Sequence, residues 1–177
     1  MNDKHAVPIT KSVEPRTFEQ YEGGRVMSWT CDTCGESIER EKDGWVEWVA
    51  FTDRERDPLG RGLRLVHAAT VSPRGHKGCQ YVEDDLPLGE CVCDLGLSDF
   101  NCPDGLVRLL GFIQHGDLPT EEVVTMIQRL NVPGYEQARP FMAQAVAGEV
   151  VSPRMPEGFF HVSQIETILE WVRERRT

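Results

Sequence analysis

SWTCDTCG, residues 28–35, places two thiols two residues apart with a tryptophan before them and a glycine after. A two-residue spacer lets both thiolates of one turn reach the same tetrahedral ion. The glycine lets the backbone fold around that ion without the steric cost of a Cβ. Two other chemistries compete for the same phrase. A redox pair needs a helix N-terminus to lower the first thiol's pKa. The residues that follow, ESIEREKDGW, are charged, carry no apolar helical stripe and lie in no βαβ pattern. A catalytic metal keeps one coordination position open and works beside a general acid or base. None of the five histidines begins an H-x-E, and no H-E-x-x-H occurs. A structural metal knuckle remains.

Its complement lies downstream in RGHKGCQY, where His76-x-x-Cys79 repeats the short spacing. Cys31, Cys34, His76 and Cys79 are therefore the expected ligands of a structural Zn2+. His67, at the end of RGLRLVH, is the alternative nitrogen donor, because a strand end can present a side chain to a knuckle. The local H-x2-C spacing favours His76. Roughly forty residues separate the two halves, against about 12–15 in a compact finger. That length accommodates two strands and a long hairpin loop. The C-x2-C…H-x2-C pattern resembles zinc-ribbon and zinc-knuckle domains as a class, over residues 25–82. The resemblance implies a metal and a rigid platform, and no particular activity.

The rest of that segment reads as β-structure. RVMSWT, GWVEWVAF and GLRLVHAAT are short β-branched or aromatic runs, separated by charged or glycine-containing loops. GWVEWVAF is apolar on both faces apart from Glu47, so it is expected to be covered on both sides. Residues 82–99 carry Glu83, Asp84, Asp85, Glu90, Asp94 and Asp99 with no Lys or Arg, and read as a solvated connection.

Beyond Cys102 the apolar period becomes helical. Leu106, Leu109, Leu110 and Ile113 form one stripe that Asn101 or Asp104 could cap and Gly116 could end. Val123, Val124, Ile127 and Leu130 form a second stripe, for which Thr120 is the expected cap. YEQARPFMAQAVAGE is a third helical piece, which Pro140 should kink or restart. Tyr135 and Arg139 fall one turn apart within it and read as a surface tyrosine packed on an arginine stem. Ser163-x-x-Glu166 is a capping-box pattern ahead of Ile165, Ile168, Leu169 and Val172. Arg173, Arg175 and Arg176 suit the last turn of that helix.

The expected architecture is α+β. A flexible arm (residues 1–24) precedes a small zinc-bound antiparallel β-unit (25–82). An acidic linker (83–100) then leads to a C-terminal bundle of about four short helices (101–177).

The 177 residues carry 19 Lys and Arg against 29 Asp and Glu, a formal net charge of −10. Both halves are acidic, at −7 for residues 1–100 and −3 for 101–177. Neither has the basic footprint of a non-specific nucleic-acid binder. No apolar run is long enough to span a membrane, and the first residues show no secretory h-region. A cytoplasmic location follows, in which six cysteines are expected as reduced thiols. Cys91, Cys93 and Cys102 lack a compelling fourth ligand, even with His115, and read as ordinary buried or surface thiols.

The leading functional expectation is a non-enzymatic zinc-binding adaptor or regulator acting through protein contacts. A nucleic-acid accessory factor is the alternative, if Arg54, Arg56, Arg61, Arg64, Arg74 and Lys77 cluster around the knuckle. An enzyme with a site at the seam between the two halves is the third.

Overall fold

A computed structural model describes residues 28–53, 55–152 and 159–175. The expected arm, residues 25–27 of the first expected strand, Arg54 and Arg176 lie outside them. Strand and helix are mixed, as the sequence implies.

Strand β1 (Trp29–Thr30) pairs antiparallel with β2 (Ser37–Ile38), and the Cys31–Gly35 turn joins them. The second sheet has the order β4-β3-β5, with β3 (Gly44–Phe51) between β4 (Gly60–His67) and β5 (Glu90–Gly96), all antiparallel. GWVEWVAF takes the central place because it has apolar side chains for both faces: Val46 on one and Val49 on the other are both fully buried. A bulge interrupts the β3–β4 register between Glu47 and Val49. Gly62, at φ 71°, supplies the left-handed residue that this kink requires.

Strand β5 lies inside the stretch expected to be an acidic linker. Its alternation explains the difference. Cys91, Cys93 and Leu95 point to one face and Glu90 and Asp94 to the other, where Glu90 meets Arg61 at 2.6 Å. The charge of the segment masks a period of two.

Helix α1 (Pro103–His115) starts with proline in its first turn and ends at Gly116, which is left-handed at φ 69°. Its N-cap position is Cys102, and neither Asn101 nor Asp104 caps it. Asn101 instead donates to Glu41 at 2.6 Å, fastening the approach of α1 to the turn before β3. Leu109 is buried, whereas Leu110 is half exposed, so the stripe is narrower than its leucines imply.

Helix α2 (Thr120–Asn131) follows; its N-cap position is Pro119 and Thr120 is already its first residue, so Thr120 does not cap it. The next helical piece is split by Pro140 into α3 (Tyr135–Ala138), a 3-10 turn and α4 (Met142–Ala147), as the missing amide demands. Helix α5 (Val162–Glu174) is capped by His161 and Gln164 in place of Ser163 and Glu166, because the helix starts earlier than the S-x-x-E pattern suggests.

The helices do not form one bundle. Leu109 of α1 and Val123, Met126 and Leu130 of α2 join Trp29, Val46, Leu65 and Val66 in the core of the sheet. Trp48 packs against Phe100 and Phe112, at 6.4 Å and 5.2 Å between ring centroids. Helices α3 to α5 gather a second core around Ala138, Ala145, Ile165, Ile168 and Val172. A sheet face must be covered by another layer, and α1 and α2 are the next elements in the chain able to cover it.

Candidate metal centre

The knuckle is shaped by its own backbone. The Cys31 amide donates to the Glu36 carbonyl, and the Gly35 amide to the Cys31 carbonyl, both at 2.9 Å. Gly35 is left-handed at φ 77°, the conformation that closes such a turn. Asp32, between the two cysteines, then clamps the knuckle onto β4. Its amide donates to the Leu65 carbonyl and its carboxylate accepts from the Leu65 amide, each at 2.8 Å.

That clamp selects the histidine. His67 lies two residues beyond Leu65, on the same face of β4, and its ring comes down on the knuckle. Cys31, Cys34, His67 and Cys79 form a group in which all four potential ligand atoms lie within 4.8 Å of one another. His67 Nδ1 is 3.5 Å from Cys34 Sγ and 3.9 Å from Cys79 Sγ. On the other side of the ring, Nε2 lies 3.2 Å from the Ser37 carbonyl oxygen, which accepts its proton. The Nδ1 lone pair is thereby aimed at the three sulfurs, the orientation that a ligating imidazole needs. His76, favoured by local spacing, sits exposed in the 3-10 turn Gly75–Lys77 and is not in the group. That turn instead delivers Cys79, which is fully buried.

Other contacts hold Cys79 in place. Thr33 Oγ1 donates to its carbonyl at 2.6 Å, and Ser72 Oγ lies 3.0 Å from its sulfur. The Arg74 amide donates to the same Ser72 hydroxyl, leaving the hydroxyl proton free for the sulfur.

Electrostatically the group is prepared for a cation. Burial pushes the Cys31 thiol up, but N–H groups of Cys34, His67 and Thr33 aimed at its sulfur outweigh that and bring it down to about 7. Burial, with the neighbouring Cys31 and Cys79 sulfurs, pushes Cys34 up to about 12. Three crowded sulfurs cannot all be thiolates without a positive charge among them. A soft divalent ion would supply it, and a donor set of three sulfurs and one nitrogen within 4.8 Å of one another is of the kind that suits Zn2+. All six cysteines are free thiols. Cys91, Cys93 and Cys102 lie outside the group, and burial beside Cys91 raises Cys93.

Two charged networks flank the centre, and no sequence pattern marks either of them. In the first, Glu47 is fully buried on β3 and accepts from Arg64 at 2.7 Å and from the Tyr81 amide at 3.0 Å. Arg64 stacks on the Tyr81 ring, 3.4 Å from its centroid, and donates to the Cys79 carbonyl at 3.3 Å. Burial raises the Glu47 carboxyl above its ordinary 4.5, against the pull of Arg64. A raised acid contributes stability that is complete below its ordinary value and is lost as pH rises through the raised one. Glu47's own contribution to stability should therefore fall over that window. Glu47→Gln removes that contribution, so its urea midpoints should rise more, or fall less, than those of wild type from about pH 4 upwards. A pH dependence identical to wild type would show that Glu47 carries none of it.

The second network centres on Arg129, which is nearly sealed from solvent on α2. It donates to both oxygens of Glu136, at 2.8 and 2.9 Å, to Asp32 at 2.6 Å and to the Thr30 carbonyl at 2.8 Å. Burial alone would push this guanidinium down; Glu136 and Asp32 outweigh it and hold it above its ordinary value. Tyr135 is buried rather than a surface tyrosine, and the half-exposed Arg139 turns to Asp32 at 3.3 Å.

The basic residues near the knuckle are largely committed elsewhere. Arg61 is paired with Glu90, Arg64 with Glu47, and Arg56 lies over the Phe51 ring at 4.4 Å. Among the described residues, no helix is long and apolar enough to cross a membrane. Compared with known protein families, curated proteins and solved structures, the chain matches none.

Proposed function

We propose that Cys31, Cys34, His67 and Cys79 hold one structural Zn2+, and that the chain is a non-enzymatic adaptor or regulatory protein. In this reading it works in the cytoplasm through contacts with another protein. The observation that carries the metal is the orientation of His67: its Nε2 is occupied by the Ser37 carbonyl while its Nδ1 faces three sulfurs. Four protein donors leave no position for substrate or water, which favours a structural ion over a catalytic one. The acidic surface and the pairing of Arg61 and Arg64 weigh against the nucleic-acid reading.

Elemental analysis of purified protein tests the site. One zinc per chain is expected, lost in Cys31→Ser, Cys34→Ser, Cys79→Ser and His67→Ala, and kept in Cys91→Ser, Cys93→Ser, Cys102→Ser and His76→Ala. Zinc retained in His67→Ala but lost in His76→Ala would transfer the fourth ligand to the loop. Metal-free protein that stays folded would remove the site altogether. The adaptor role is tested by partner capture with zinc-loaded and chelated protein, where capture by the loaded form alone is expected.

A further inference from the structure

The knuckle is bonded to helices α2 and α3 more closely than a mere metal clip requires. Thr30, immediately before the first cysteine, has both backbone groups committed across the fold. Its amide donates to Glu136 at 2.8 Å and its carbonyl accepts from Arg129 at 2.8 Å. Asp32, immediately after it, accepts from Arg129 on one oxygen and from Arg139 on the other. The same Asp32 oxygen that meets Arg129 also accepts the Leu65 amide of β4, the strand that ends in His67. Every one of these bonds bridges elements far apart in the chain, and Arg129 and Glu136 are both buried, Arg129 at the floor of an open cavity that Asp32 and Arg139 also line.

We infer that Asp32 is a positioning residue which couples occupancy of the metal centre to docking of α2 and α3. The coupling presupposes the bound zinc proposed above. With the ion bound, the Cys31–Gly35 turn is fixed, and Thr30 and Asp32 present a preformed pair of acceptors and a donor to Arg129 and Glu136. With the ion gone, the turn keeps only its backbone bonds, the Asp32 carboxylate on Leu65 and the Thr33 hydroxyl on Cys79. Arg129 and Glu136 then lose the geometry that compensates their burial. The knuckle is the element shared by both sides, since the ion and the helices both hold it through Thr30, Cys31 and Asp32. Linkage makes the effect reciprocal: the factor by which the ion strengthens docking is the factor by which docking strengthens metal binding, so loosening the helical side weakens the metal by up to that factor.

Reciprocity supplies the test, because Glu136 and Arg139 touch none of the four ligands. Zinc affinity is measured by competition with a chromogenic chelator for wild type, Glu136→Gln and Arg139→Gln. Glu136→Gln should weaken binding by about tenfold or more, and the milder, half-exposed Arg139→Gln several-fold. If Glu136→Gln fails to fold, Arg139→Gln still decides. In parallel, hydrogen exchange on zinc-loaded Asp32→Ala should show lost protection at the end of α2 and in α3, with α5 unchanged. Wild-type affinity in both helical variants would overturn the coupling while leaving the metal site intact. A wild-type protein that binds no zinc would overturn both readings.

Discussion

Cys79→Ser is expected to abolish zinc binding and to dissolve the core beneath the sheet. Cys79 is fully buried in the same core as Trp29, Val46, Leu65 and Leu97, so its loss acts on packing as well as on the ion. Structural zinc contributes on the order of 10 kcal/mol of folding energy in small domains. Whole domains are stable by only about 5–15 kcal/mol. The sheet-side core should therefore lack a native state at about 25 °C without the ion. Near-ultraviolet circular dichroism, which reports Trp29, Trp45 and Trp48, should lose its native signal, and chelator should do the same to wild type. Cys102→Ser, with a half-exposed thiol outside the group, is the control expected to melt like wild type. A Cys79→Ser protein that still melts sharply near the wild-type temperature would show that packing alone holds the β-unit.

Arg129→Met should carry the next largest effect. The substitution keeps most of the apolar stem and removes a guanidinium that makes four hydrogen bonds, to Glu136 twice, Asp32 and Thr30. Deleting one partner of a buried pair costs about 3–5 kcal/mol, because the surviving charge stays buried without compensation. Here the survivor is Glu136, which is 2% exposed and keeps only the Thr30 amide and a distant Arg139. The urea midpoint should fall accordingly. The double variant Arg129→Met/Glu136→Leu should regain part of the loss by removing the stranded carboxylate. A loss of under about 1 kcal/mol would mean that Glu136 finds water, against its burial.

Cys79 and Arg129 differ in how far their surroundings can be read along the chain. The knuckle that Cys79 completes is legible because its chemistry is local: two thiols, a two-residue spacer and a glycine are complete within residues 31–35. Glu136 and Arg129 are invisible as a pair. Within the sequence they are ordinary polar residues on separate amphipathic pieces, and nothing marks them as facing inwards. Arg139 is visible only as a neighbour of Tyr135, which suggests a surface pair. Its partner Asp32 is 107 residues away, and sequence spacing carries no information over that distance.

Strand β5 shows another way a pattern can hide. Six acidic residues across 82–99 outweigh the alternation of Cys91, Cys93 and Leu95, and the segment reads as linker. Cysteine is a small hydrophobe when reduced and can pack on a strand face like valine or alanine. Counted so, the two cysteines and Leu95 expose the strand.

By itself the sequence determined the elements whose cause is local. These are the two-faced apolar run that makes β3 central, the Cys31-x-x-Cys34 turn, the left-handed Gly116 that ends α1, and the break at Pro140. Tertiary structure decided which distant groups meet. His67 and not His76 lies beside the three thiols, because Asp32 locks the knuckle to Leu65 and strand geometry carries that register two residues on to His67. The helices divide between two cores because the sheet needs a cover, a demand that no single helix records in its own period. Local patterns fix φ, ψ and the direction of each apolar face. Only the closed chain fixes which face, and which charge, finds which partner.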